Sequence, residues 1–180
     1  MKPWHTAATE PIFTHPLLRL ERRRIERGDE RREIVAIDAD DWVHVIPILP
    51  DERLVMVRQF RYATESFHLE LPGGIVDPGR NHRQTAEQEL AEETGYAAGH
   101  FERIGEVEPN PAILDNRLSV WVATDLRRLA PEDKPPTDEH EELEVVKVPL
   151  ASIPELVRSG EIRHALMLSS FYLLDLHRRS

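Results

Sequence analysis

GGIVDPGRNHRQTAEQELAEETGY, residues 73–96, is the stretch on which the reading of the chain turns. Residues 84–94 have helical composition and stop at Gly95, a residue suited to the left-handed turn after a helix. At helical spacing Glu89, Glu92 and Glu93 stand at i, i+3 and i+4 and share one face, while Ala86 and Leu90 mark the adjoining apolar stripe. Like charges so placed repel, and an acidic helix face is ordinarily just solvated surface. The preceding loop changes that balance. Gly73 and Gly74 follow a strand ending in Glu70-Leu71, and two adjacent glycines let backbone approach an ion or ligand closely. Backbone carbonyls beside stacked carboxylates are hard oxygen donors suited to Mg²⁺ or Mn²⁺, and Mg²⁺ commonly shares its coordination sphere with substrate phosphates.

Outward from this unit, residues 19–27 and 30–37 read as strands joined at Gly28-Asp29, and residues 42–49 and 53–60 as strands joined at Pro50-Asp51-Glu52. Beyond the helix, strand-like segments return at 101–108, 118–124 and 143–148, separated by proline-bearing loops. Ser152 is expected to cap a helix over 154–159 that ends at Gly160. A last helix over 165–177 is expected to gather Leu166, Leu168, Phe171, Tyr172 and Leu176 on one side.

Composition narrows the function classes. A chain of 180 residues with 40% apolar content supports one domain with a short appendage. The net charge of −10 argues against nucleic acid or an anionic membrane as the main partner, since like charges repel at long range. Divalent cations can still bridge an acidic protein to phosphates. The absence of cysteine removes disulfide and thiolate-metal chemistry and fits a cytoplasmic protein. Neither a signal-peptide h-region nor an apolar run of membrane-spanning length is found, so no membrane association is expected. Residues 19–32 carry seven arginines with acids interleaved, a pattern of a solvated strand face or a salt-laced dimer surface. The nine histidines show no zinc-site spacing and read as ordinary polar residues.

Gly74, the spacing to position 88, and Glu89-Leu90-Ala91-Glu92-Glu93-Thr94-Gly95-Tyr96 resemble the Nudix box, G-x5-E-x7-R-E-U-x-E-E-x-G-U, where U is a bulky apolar residue. Arg80 stands where the box has its first glutamate and Gln88 where it has its arginine; every other defining position is filled. Both departures touch positions understood to brace the loop and helix. Arg80, a permanent cation, has two open placements: against Glu89 or Glu93, competing with metal, or toward solvent or Glu87.

The resemblance extends over most of the chain and is closest to the ADP-ribose pyrophosphatase branch. It implies an α/β fold, a Nudix-like α/β/α sandwich around a mixed sheet, with a small N-terminal antiparallel sheet. The organisation it implies is residues 1–40 as a hairpin region forming a dimerisation sheet and 41–180 as the hydrolase domain. It implies Mg²⁺ as cofactor, with Mn²⁺ as substitute, held by the Gly73 carbonyl, Glu89, Glu92 and Glu93. Val57-Arg58-Gln59-Phe60-Arg61-Tyr62 and Leu69-Glu70-Leu71-Pro72-Gly73-Gly74 resemble the branch's substrate strand and its entry to the box. By that likeness Arg61 and Arg58 meet diphosphate or ribose, and Glu70 the terminal ribose region. Base selection depends on aromatic stacking, for which Trp4, Phe13, Trp42 and Phe67 are all candidates. Asp138-Glu139-His140-Glu141-Glu142 resembles the branch's base loop, so Glu139, then Glu141, are the candidate catalytic bases, with Glu92 also in the catalytic set. The implied activity is Mg-dependent cleavage of ADP-ribose to AMP and ribose 5-phosphate by a cytoplasmic homodimer acting on a small-molecule nucleoside diphosphate, with no nucleic acid and no membrane. Two alternatives stay open: hydrolysis of another nucleotide sugar such as GDP-mannose, and a catalytically weakened ligand-binding domain.

Overall fold

Helix α1 (His82–Thr94) is set by its ends. Asn81 has extended backbone and accepts the Gln84 N–H at 2.9 Å, while the Gln84 side chain accepts the Asn81 N–H at 3.4 Å. This reciprocal capping box starts the helix two residues before the composition signal at 84. Gly95 closes it at φ 71°, where a side chain would be strained, and its N–H reaches the Ala91 carbonyl at 3.0 Å.

The computed structural model describes residues 1–136 and 142–179. They group into two compact units: Met1–Asp41 with Glu108–Arg117, and Trp42–Val107 with Leu118–Ser180.

In the first unit β1 (His5–His15), β2 (Leu18–Arg27) and β3 (Glu30–Asp38) form an antiparallel sheet in that order. The β2–β3 turn falls at Gly28, where φ is 62°. β1 carries no sequence signal: every residue in it is exposed, so it has no buried face to alternate against. The returning segment joins this sheet. Ile113 carbonyl accepts the Ile37 N–H at 2.7 Å, and Asp115 receives Arg23 at 2.5 Å.

In the second unit β4 (Trp42–Pro47) pairs in parallel with β8 (Leu118–Arg128), which pairs antiparallel with β7 (Tyr96–Val107). A second, antiparallel sheet has the order β6 (Ser66–Glu70), β5 (Arg53–Arg61), β9 (Leu143–Pro149). Strand alternation divides the core in two. Val43, Val45 and Val55 pack with Ala86 and Leu90 of α1, while Ile46, Leu54, Met56, Val120 and Val122 pack with residues of α2 (Ile153–Arg158) and α3 (Ala165–Arg179). Helices thus cover both sides of the sheets, giving the α/β/α arrangement.

Two helix details correct the sequence reading. Ser152 does not cap α2. It already has helical backbone angles, and its hydroxyl donates to the Pro149 carbonyl at 2.7 Å, because a 3₁₀ turn runs directly into the helix. In α3 the buried face is Leu166, Met167, Ser170 and Leu174, whereas Leu168, Tyr172 and Leu176 are exposed. Residues 166 and 168 lie about 200° apart around a helix, so one apolar face cannot hold both sets.

Candidate active site

The loop 71–76 is threaded under β4. Val43 and Val45 donate their N–H groups to the carbonyls of Gly74 and Pro72 at 2.9 and 2.8 Å, extending the sheet by backbone alone. A Cβ at Gly73 would lie 2.1 Å from the Val43 carbonyl oxygen, so glycine is required there for this approach.

That placement brings the loop against α1. Glu93, only 4% exposed, accepts the Gly73 N–H at 3.1 Å. The Glu89 carboxylate fills the space where a Cβ of Gly74 would stand, 2.3 Å from its Oε1. Glu92 accepts from the Gln88 amide at 2.7 Å. The loop and the three glutamates are therefore one local unit, although among the described residues no group of three His, Asp or Glu side chains is already gathered as an ion site. The donor chemistry fits a hard divalent cation: acidic oxygens only, one of them buried, beside a glycine loop whose backbone comes within contact of the helix.

Both departures from the box find partners. Arg80 is exposed, in keeping with the solvent-facing placement, and pairs with Asp77 at 3.7 Å inside the loop. Glu87 is taken by Arg83 at 2.9 Å. Gln88 makes its bond to Glu92 one turn on, so an amide steadies that carboxylate.

A second polar group lies at the β5–β6 pair. Glu70, 2% exposed, accepts Arg61 Nε at 2.9 Å and Nη2 at 2.6 Å on one oxygen, together with Gln59 Nε2 at 2.9 Å. Its other oxygen accepts His164 Nδ1 at 3.0 Å. Burial pushes the Glu70 pKa up, but the hydrogen bonds and charges of His164 and Arg61 outweigh it and hold the group at about 2. His44 packs edge-on to His164 at 6.4 Å and bonds Ser170 Oγ through Nδ1 at 2.9 Å. Burial above all, then the neighbouring His164, pushes His44 down to about 4. His44 and His164 are both half-buried, each held by a specific partner, which the reading of the histidines as ordinary polar residues does not anticipate. Their partners are 94 and 126 residues away, and no local pattern announces such contacts.

Arg61 stands beside Glu70 as paired residues, whereas Arg58 turns to Glu161 at 3.2 Å and Glu144 at 3.7 Å. Trp42, partly buried, packs against the core on the α3 side. Glu139 and Glu141 lie outside the described residues.

The fold and this loop–helix unit are those of an α/β/α hydrolase. The NUDIX domain model matches residues 40–169, and the chain belongs to the Nudix hydrolase family. An ADP-ribose pyrophosphatase of Bacillus subtilis is 32% identical over 174 residues, spanning 95% of this chain and 92% of that protein. The ADP compounds hydrolase NudE of Escherichia coli is 29% identical over 170 residues, spanning 94% of this chain and 87% of that one. A crystal structure of an ADP compounds hydrolase superposes with a TM-score of 0.86 at 24% identity, covering 99% of this chain and 96% of the other, a likeness of fold. Hydrolases of this family work with a divalent metal. No helix among the described residues is long and apolar enough to cross a membrane.

Proposed function

We propose that this chain hydrolyses the diphosphate of ADP-ribose to AMP and ribose 5-phosphate. The observation that carries the reading is the buried Glu93 carboxylate clamped to Gly73, with Glu89 against Gly74, since it builds an oxygen-donor face where the box predicts one. The substrate is proposed from the relatives named for ADP-ribose and ADP compounds. A cytoplasmic setting fits the lack of cysteine.

Glu89, Glu92, Glu93 and the Gly73 carbonyl would hold Mg²⁺, with Mn²⁺ as substitute. Such a cation, when bound, neutralises diphosphate charge and makes water a stronger nucleophile. Arg61 presents a guanidinium matched to phosphate oxygens. Arg58 is the second candidate for that contact, and Trp42 for the base. Glu139 or Glu141 takes the proton as water attacks phosphorus; the bond to the bridging oxygen breaks, and the leaving phosphate departs with that oxygen. Glu92 completes the catalytic set.

A homodimer through the N-terminal sheet is part of the proposal. It is supported by the edge position of β1 and by Ile12 and Phe13, 47% and 57% exposed along it.

The test is incubation with ADP-ribose, GDP-mannose and other nucleotide sugars in Mg²⁺, Mn²⁺ or EDTA, following nucleoside monophosphate release. Metal-dependent formation of AMP and ribose 5-phosphate is expected. Preference for another nucleoside diphosphate would revise the pocket, and metal-independent binding without turnover would overturn the enzymatic reading.

A further inference from the structure

Glu70 stands in the strand entering the box, where a substrate contact is the first expectation. Its surroundings leave it little freedom for one. The side chain is 3% exposed, one oxygen takes three N–H donors from Gln59 and Arg61, and the other takes His164. The two partners reach outward: Arg61 is 47% and His164 36% exposed. An ionised carboxylate only accepts, so the hydrogen between Glu70 and His164 sits on Nδ1, and Nε2 becomes the atom available to a ligand. The cluster also adjoins the box loop. His44, packed against His164, has its Cδ2 3.0 Å from where a Cβ of Gly73 would lie.

We propose that Glu70 is a positioning residue that aligns a two-residue substrate clamp, Arg61 for a phosphate oxygen and His164 Nε2 for a sugar hydroxyl. This deepens the reading of the chain as a nucleoside diphosphate-sugar hydrolase and rests on it. A hydroxyl suits His164 in either charge state, because it donates to a neutral Nε2 and accepts from a protonated one. His164 itself is anchored at the mouth of α3, where its carbonyl accepts the Met167 and Leu168 N–H groups at 3.0 and 3.3 Å. Its backbone is thereby held at the start of the helix, and its ring by Glu70.

The test compares the wild-type protein with His164→Asn, His164→Gln and Glu70→Gln in steady-state turnover of ADP-ribose. Asparagine can keep a donor where Nδ1 stood but removes Nε2; glutamine can reach outward but loses the Glu70 bond. His164→Asn should raise KM by roughly tenfold with kcat within about threefold, at an unchanged Tm. Glu70→Gln should raise KM similarly, and the Glu70→Gln/His164→Asn double variant should lose less than the product of the single effects. The His164→Asn defect should be the same at low and high salt, as befits a hydroxyl contact. A defect that fades with salt would mark a phosphate contact and overturn the sugar assignment. Wild-type turnover with an unchanged KM in His164→Asn would overturn the clamp alone. Absence of wild-type turnover would remove the functional reading and the clamp together.

Discussion

The Glu89 carboxylate occupies the place where Gly74 lacks a side chain: a Cβ there would meet Oε1 at 2.3 Å and the carboxyl carbon at 2.6 Å. The obstructing group is the end of a flexible side chain, so Gly74→Ala should fold and push that carboxylate aside. Metal titration should show weakened Mg²⁺ affinity, by roughly tenfold or more, with Tm lowered little. Gly73→Ala meets the Val43 backbone instead, 2.1 Å from its oxygen, and should cost about 1–3 kcal/mol in denaturant unfolding.

Glu93→Gln separates metal binding from architecture. An amide oxygen can still accept the Gly73 N–H, whereas the charge is lost. Activity should fall by at least about a hundredfold with the fold retained, checked by kcat and by circular dichroism. Near-normal turnover would remove Glu93 from the metal set.

Arg80, paired with Asp77 at the surface, should be expendable. Arg80→Ala should change stability by less than about 1 kcal/mol and leave kcat/KM within about twofold. A large gain in metal affinity would instead mean that Arg80 competes for the glutamates.

Glu70 predicts a pH dependence of stability. Its folded pKa of about 2 lies below the ordinary 4.5, so the unfolded chain takes up the proton first as pH falls. The stabilisation is full above about 4.5, fades through the interval and is gone below about 2; at neutral pH it is on the order of 3 kcal/mol. His164, Arg61, the nearby His68 and, behind His164, His44 are charged or titratable groups around it. Glu70→Gln should narrow the Tm gap between pH 6 and pH 3, measured by calorimetry. An unchanged gap would count against the ion-paired state.

Phe13→Asp places a charge on the exposed face of β1. If that strand meets a second copy, light scattering should show the variant shifted toward monomer, with its circular dichroism unaltered.

Where the sequence was legible, the signal was local. The box spacing, the Gly95 stop and the Ala86–Leu90 stripe depend on residues within a few turns of one another, and the helix follows them. The Asn81–Gln84 capping box is equally local, and it starts the helix two residues ahead of the stretch whose composition is helical. Contacts across the chain gave no such notice. Nothing near Glu70 in sequence points to His164, and nothing near Ile37 points to Ile113, because these pairs are created by the folded topology. β1 was hidden for another reason: a strand exposed along its whole length has no alternation to read. The buried side of α3 is not legible from composition, because apolar residues occur on more than one of its faces.

The return of Glu108–Arg117 to the N-terminal sheet has a consequence for biosynthesis. Ile37 bonds to Ile113, and the Asn116 side chain bonds to the Asp40 carbonyl at 3.0 Å. The strands made first are thus completed only by a segment translated much later. At about 5–20 residues per second the nascent β3 edge waits several seconds or more for its partner. During that time it is open to chaperones and to the edges of other nascent chains, and a fragment cut after Asp41 would keep that unfinished edge permanently.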